Sequence, residues 1–501
     1  MTQNTLIVDY DCSNFFVSHE PDELNLQGLQ AWVDQYADTQ VSHLFLNPNA
    51  QRTDYDSNVW ESMWRQDDPQ RLSRASDGAR KWANHLRLLY ERGLDPYAVW
   101  IDRCHQKGIS PWLSMRMNEV HDTDNPDSPL LSTFWRKHPE YRRVPGSPRG
   151  YEDQQLDFAH EPVRRYALAL LDEFMHRYDA DGVSLDWMRF PYNFRPGHEQ
   201  AGRLILNEFM TTVRTMARKR SQDRGRELKI AARVPADPQL ARGFGLDGIE
   251  WVRRGLVDIL IVTPFWGSAN FDLPMELWRE MLGKDADRIK LVGGTEVLAA
   301  AWAFPHAKRS HCDIEALRGL AAGILHRGAD QVYLFNFYDR LHCFYTDEEY
   351  GRMLREVGDL QTVLDKPRRH IVTYIDALPP GVPCGYLLPH QLTYPNPAQF
   401  RIYTGPKPAG GRVTLRVGLE GDNDDLAHAT LAARCNCEPC AALPDITSTL
   451  PPHTNRYLEY DIPLRVMQEG YNLAELFTKK EASARIVWVE LRIDPTYEVA
   501  K

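Results

Sequence analysis

The stretch "DGVSLDWMRFP", Asp181 to Pro191, sets a carboxylate, Asp186, at the end of an apolar run and an arginine, Arg189, three residues on. A carboxylate buried without a partner is costly, so such a residue is either paired or used in chemistry. Two carboxyl groups flanking a bond can divide the labour of hydrolysis. One donates a proton and the other acts as nucleophile or as base toward water, and glycosidic bonds are cleaved in this way with the carboxyls roughly 5–10 Å apart. Asp186 is read as one member of such a catalytic pair. Glu296, which follows "KLVGGT", is read as the other, the two glycines leaving room for a ligand to approach. Glu119, in "MRMNEVHD", is the alternative partner, and Asp237, in "VPADPQ", reads as a solvated loop residue. The structural alternatives are an Asp186 paired with Arg189 or Arg233, and a Glu296 paired with Arg116 or His306.

Further polar groups follow apolar runs at regular intervals, and these are read as substrate contacts: Arg116, Asn118, Glu119, His121, Arg189, Arg233, Trp266, Asn336 and Tyr338. Asp9, Asp11, Asn47, Asn49 and Thr263 occupy similar positions. Arginine inside an apolar strand pairs with carboxylates or grips an anion, so Arg116, Arg189 and Arg233 together also suit a uronate or a sulfated sugar. Asn118 and His121 suit sugar hydroxyls. Trp266, Trp302 and Tyr338 suit stacking on sugar faces, while Trp187 reads as core because neighbours along a strand alternate faces. "CNCEPC" brings Cys435, Cys437 and Cys440 close together. A structural zinc site wants four ligands, and only His428 or His453 could complete it, so these read as loop cysteines. No metal and no cofactor is expected.

These positions call for a scaffold that delivers eight strand ends to one place. The apolar runs 4–11, 41–49, 109–119, 182–190, 228–235, 257–266, 289–296 and 331–339 read as strands. Amphipathic stretches lie between them: "NLQGLQAWVDQYAD", "PYAVWIDRCHQKG" with Gly108 as its C-terminal cap, "EPVRRYALALLDEFMHRYD" with Glu161 and Pro162 in its first turn, and "EALRGLAAGILHRGA". Eight strand–helix units predict a (β/α)8 barrel over 1–365, whose active sites sit at the C-terminal ends of the strands. A doubly wound sheet is the alternative, but no glycine-rich phosphate turn follows the first strand. From about Lys366 the helical spacing fades, and "RVTLRVGL", "GYNLAELF" and "RIVWVELRI" alternate as half-buried strands. Residues 366–501 are therefore expected to form a C-terminal antiparallel β-sandwich, packing on the barrel or contacting another copy in a homo-oligomer.

Length and charge bound the rest. A single core rarely exceeds about 300 residues, so 501 residues imply two domains. A net charge of −10 argues against nucleic acid as the partner. No apolar run is long enough to cross a membrane. "MTQNTLIVDYDCSNFF" lacks the features of a leader, so the expected location is cytoplasmic, or secreted or periplasmic with a leader already removed. Eight cysteines are too few for a disulfide scaffold. Aromatic residues at 11%, with 13 Trp and 22 Tyr, suit a flat, partly apolar ligand, and the partner expected from the carboxylate pair is a carbohydrate.

Four segments carry a resemblance. His138-Pro139-Glu140-Tyr141, Pro162-Val163-Arg164 and the run Tyr178 to Pro191, with "GLDGIEWVRRGLVDILIV" at 245–262, resemble the glycosyl-hydrolase-like ten family. The resemblance implies a TIM-barrel glycoside hydrolase, with Asp186 matching the family's strand-four aspartate. It implies no partner carboxylate and no substrate; a poly- or oligosaccharide is the substrate expected from the carboxylate pair and the polar strand ends. Here "DWMRF" stands where "DYIRY" is commoner, keeping the Asp and the Arg. The alternatives are a carbohydrate-binding barrel without turnover, and a lyase or metal-dependent hydrolase on the same scaffold.

Overall fold

The computed structural model describes residues 6–497 apart from 69, 147, 304–305, 342–343, 423–425, 427–428 and 481. Eight parallel strands close into a barrel: β1 (Leu6–Asp11), β2 (Val41–Asn47), β3 (Ser110–Arg116), β4 (Gly182–Asp186), β5 (Lys229–Pro235), β6 (Ile259–Thr263), β7 (Lys290–Thr295) and, after a two-residue ladder of β8 (Leu298–Ala299) with β9 (Ser310–His311), β10 (Gln331–Phe335). Each barrel strand lies inside one of the eight expected runs, and β1 pairs with both β2 and β10 to close the ring.

Alternation along each strand sorts the side chains. Ile7, Phe45, Trp112, Ala231, Ile259, Ile261, Val292, Tyr333 and Phe335 form a separate cluster inside the barrel. Their neighbours Val8, Leu46, Met115, Leu185, Val234 and Leu334 belong to the larger core under the helices. Bulky residues fill such a barrel, so it is a packed core rather than a pore. Glycines make room for them. A Cβ on Gly182 would lie 2.3 Å from the Trp112 indole, and one on Gly294 would lie 2.4 Å from Thr263 and 2.9 Å from the Tyr333 ring. Gly293 is crowded from outside by Ile324. The glycine pair before Glu296 thus serves packing on both faces of β7, and not the ligand approach expected of it.

The helices start and stop as their caps dictate. Asp95 caps Pro96–Lys107 by accepting from the Tyr97 and Ala98 N–H groups, and Gly108 ends it with φ 71°. Glu161 and Pro162 open Glu161–Arg177. The Asn25 side chain caps Leu26–Asp34, and Asp313 caps Ile314–His326. Asp237 likewise caps Pro238–Gly243 through the Gln239 and Leu240 N–H groups, so it holds a helix start and is not a free loop carboxylate. Among the described residues, no helix is long and apolar enough to cross a membrane.

Among the described residues beyond the barrel run nine antiparallel strands: β11 (Arg368–Ile371), β12 (His390–Thr393), β13 (Ala398–Tyr403), β14 (Arg412–Glu420), β15 (Leu431–Cys435), β16 (Glu438–Ala442), β17 (Arg456–Ile462), β18 (Tyr471–Thr478) and β19 (Ser483–Asp494). The order β11-β19-β14-β17 passes through β16 into β15-β18-β13, with β12 also on β19. The cysteines of "CNCEPC" lie on the β15–β16 hairpin. Asn436 and Cys437 take its two central positions with φ 49° and 71°, the mirror-image turn that suits twisted strands. Cys435 is buried and Cys437 exposed. Among the described residues no group of His, Cys, Asp or Glu is placed to hold a metal; His428 lies outside them. His453 instead accepts from the Lys308 N–H and packs against the Trp302 ring at 4.9 Å, and Trp302 is 7% exposed.

The sheet grips the helix Ile314–His326. A Cβ on Gly319 would lie 1.9 Å from the Arg369 carbonyl, so β11 can approach this closely only because glycine stands there. Arg369 bridges Asp313 and Glu490, and Arg492 makes a two-toothed pair with Glu315 at 2.9 Å on both nitrogens.

Candidate active site

The register of β3, β4 and β5 sets Arg116, Asp186 and Arg233 side by side, all inward and all at the C-terminal end. An acid between two arginines could pair with either. Arg233 takes it: Nη1 donates to Asp186 Oδ2 at 3.2 Å, Nη2 reaches Glu296 Oε1 at 3.4 Å, and Nε donates to Thr263 at 2.9 Å. One guanidinium therefore joins the two carboxyls expected to act together, and it lies 3.7 Å over the Phe335 ring. Asp186 Oδ1 also accepts from the Met188 N–H. Neither Arg189 for Asp186 nor Arg116 or His306 for Glu296 is the partner.

Arg116 is committed elsewhere, to Asp11 and, at 3.0 Å, to Glu119. Burial pushes Glu119 up, but His121 and Arg116 beside it hold it well below the usual carboxylate range. Its other oxygen accepts from the Val120 and His121 N–H groups. Deeper in, Tyr333 donates to Asp9 at 2.7 Å. Burial and the charge of Asp186 push Asp9 up to about 6.

Above this layer opens a cavity of about 900 Å³. Its walls include Glu296, Arg189, Phe190, Trp266, Phe335 and Tyr338, with loop residues 120–124 and 148–151 around the rim. Burial pushes Glu296 up to about 8 against the pull of Arg233 and Arg189, so its carboxyl keeps its proton at neutral pH. A protonated carboxyl on the wall of an aromatic cavity can donate a proton to a leaving oxygen.

Of the residues read from the sequence, Glu296, Arg189, His121, Trp266, Asn336 and Tyr338 line this cavity. Asp186, Arg116, Asn118, Glu119 and Arg233 are not among the lining residues. Asp186 is 1% exposed and forms the layer beneath. Arg116, Glu119 and Arg233 correct the expectation of substrate contact, because their hydrogen bonds are spent on one another and on Asp11, Asp186 and Glu296. Asn118 does too: its amide is engaged by Leu156, Tyr192 and Asn193, pinning the loop after β3. Trp187 is buried against Phe158, Phe209 and Trp251, as its strand position predicts.

Some parts of the site escaped sequence reading. Phe335 shares the inward parity of Tyr333, so strict alternation along β10 would have found it. Asp376 had no signal. It lies in the aperiodic stretch after β11, yet its carboxylate accepts from four consecutive backbone N–H groups, Phe265 to Ser268, at 2.7–3.2 Å. That clamp shapes the loop carrying Trp266 into the cavity. Hydrogen bonds to a charged group contribute about 1.5–3 kcal/mol each, and not additively. Asp376→Ala is expected to lower stability by about 2–4 kcal/mol and to raise KM more than it lowers kcat, with Asp376→Asn between. Thermal melts and steady-state kinetics check this; an unchanged KM would separate the clamp from the cavity.

No protein-family model matches the chain, and no curated protein matches it. Several solved structures resemble it. The PgaB (BpsB) glycoside hydrolase domain of Bordetella bronchiseptica is 14% identical with a TM-score of 0.38, covering 71% of this chain and 99% of that one. Chitinase ChiA74 of Bacillus thuringiensis is 9% identical with a TM-score of 0.38, covering 97% and 99%. The cycloisomaltooligosaccharide glucanotransferase of Paenibacillus sp. is 9% identical with a TM-score of 0.34; 97% of this chain is covered but only 57% of that one. Likeness of this degree carries no chemistry to the chain, and the barrel stands on its own strand pairing.

Proposed function

We propose that the protein is a glycoside hydrolase acting on a poly- or oligosaccharide, with Glu296 as proton donor and Asp186 as the second carboxylate. The observation that carries this reading is the buried Glu296 carboxyl on the wall of an aromatic cavity at the barrel mouth, tied through Arg233 to Asp186. Glu296 meets the substrate from the wall, while Asp186 acts from the floor, where a sugar ring must press down past Phe335. Phe190, Trp266 and Tyr338 offer apolar faces to the ring, and His121 and Asn336 offer hydrogen bonds to its hydroxyls. The strand-four motif Tyr178 to Pro191 supports membership of the glycosyl-hydrolase-like ten family, and the segment after residue 365 is proposed as a separate domain that braces the barrel.

Release of reducing sugar from a glycan panel tests the pair. Glu296→Gln and Asp186→Asn are each expected to lose roughly 10²–10⁴ in kcat. Full activity in both variants on a substrate the wild type cleaves would dismiss it. A second reading, a sugar-binding barrel without turnover, is favoured by the sealing of Asp186 beneath the cavity surface. It predicts calorimetric binding with no product from any member of the panel.

A further inference from the structure

Three arginines reach the inner end of the barrel, and two are fully engaged. Arg116 serves Asp11 and Glu119; Arg233 serves Asp186, Glu296 and Thr263. Arg189 differs. It is 7% exposed and lines the cavity, yet, while its backbone carbonyl accepts from the Asn118 N–H, its side chain makes no hydrogen bond or ion pair with any described residue, and its Nε is buried without a partner. Its guanidinium carbon lies 5.2 Å from the Phe190 ring and 5.5 Å from the Phe335 ring. Those rings hold it in place but supply no acceptor, so its hydrogen-bonding edges stay open. The acids whose charge it senses, Asp11, Glu119 and Glu296, are already taken by Arg116 and Arg233. Asn336 repeats the pattern on the same wall: its Oδ1 is buried without a donor. A buried guanidinium with unspent donors is costly unless an acceptor arrives to meet it.

We infer that Arg189 forms an anion subsite in the cavity, built for the carboxylate or sulfate of an acidic sugar residue, with Asn336 accepting from a neighbouring hydroxyl. The planar fork of a guanidinium matches both anions two-toothed, and its burial on the wall leaves little water to compete. The rim is mixed. Arg149 and Arg309 stand on it beside Asp122 and Asp124, so selectivity rests on Arg189 and not on a general positive field. Arg309 is itself occupied by the Trp266 face at 4.9 Å.

The inference rests on the glycoside hydrolase reading for its ligand class, and its test separates the two. The full chain carrying Glu296→Gln is titrated calorimetrically with trisaccharides of glucuronic, galacturonic and mannuronic acid, with their carboxyl-reduced counterparts, and with a sulfated and a desulfated galactan oligosaccharide. At least one acidic probe is expected to bind tenfold or more tightly than its neutral counterpart, with the uronate and sulfate arms telling which anion fits. Adding Arg189→Gln is expected to bring that pair within twofold, and Arg189→Lys to keep part of the preference. Matching circular dichroism and melting curves establish that the variants fold. The subsite is overturned if no acidic probe outbinds its neutral partner, or if Arg189→Gln weakens both alike. If the acidic preference holds but the wild type cleaves no glycan, the hydrolase reading falls and the subsite stands. If neutral glycans are cleaved with no acidic preference, the reverse is true.

Discussion

Glu296→Gln is expected to remove the basic limb of the pH–rate profile, near pH 8, while making the folded protein more stable by a margin that grows with pH. A proton donor works only while it holds its proton, so wild-type kcat should fall as pH rises through about 8, where Glu296 ionises. The glutamine keeps the shape and loses the proton, leaving a residual rate roughly 10²–10⁴ lower with no such limb. Stability moves the other way. Below pH 4.5, the ordinary value, the group is protonated folded or unfolded and costs nothing. Between 4.5 and about 8 the unfolded chain releases the proton and the folded chain retains it, so the wild type loses stability as pH rises, and above 8 the loss levels off. At about 1.4 kcal/mol for each pH unit between the two values, the full cost is roughly 5 kcal/mol. Asp9, raised to about 6 for similar reasons, is common to both proteins and cancels. Denaturant melts at pH 5, 7 and 9 read the margin directly. A constant difference across that range would mean that Glu296 ionises normally.

Arg233→Met should be the most destabilising single change at the barrel mouth. It removes the one cation that both Asp186 and Glu296 touch, and leaves Asp186 buried near Asp9 with no ion-pair partner among the described residues. Breaking a buried pair from one side costs about 3–5 kcal/mol. The loss has its own pH signature. Without the guanidinium Glu296 clings to its proton more strongly, so the variant should be closest to wild type at low pH and fall further behind as pH rises. Adding Asp186→Asn should recover a large part of the stability, a coupling of about 1–3 kcal/mol that a double-mutant cycle measures. If Arg233→Met is as stable as wild type at pH 8, the arginine is not what holds the two acids together.

The scaffold was legible because each barrel strand is a short apolar run bounded by breakers, and because the polar residue ending each run falls at the barrel mouth whichever way it faces. Gly108 and Pro162 gave helix ends for the same local reason. The site was legible as a set of residues and not as an arrangement. Asp186, Arg116 and Arg233 all point inward, and nothing local says that Arg233 will take Asp186 while Arg116 turns to Asp11 and Glu119. Nor does spacing reveal that Arg189 is left open, since that depends on where three other side chains go. Asp376 was out of reach altogether: its four backbone partners lie more than a hundred residues earlier, in a loop with no pattern of its own.

The position of β19 in its sheet also bears on how the chain emerges from the ribosome. β19 lies between β11 and β14 and also carries β12, yet it is the last strand of this sheet to be made. The barrel strands are complete once residue 335 has appeared, whereas β11, which sits against Gly319, waits for a partner that ends at Asp494. From residue 371 to residue 494 is 123 residues, about 6–25 s of synthesis at 5–20 residues per second. During that interval β11, β12 and one edge of β14 are open strands on a nascent chain whose barrel is already able to close. Chaperone occupancy and vulnerability to proteases should therefore concentrate in this late window, on the strands that β19 will cover.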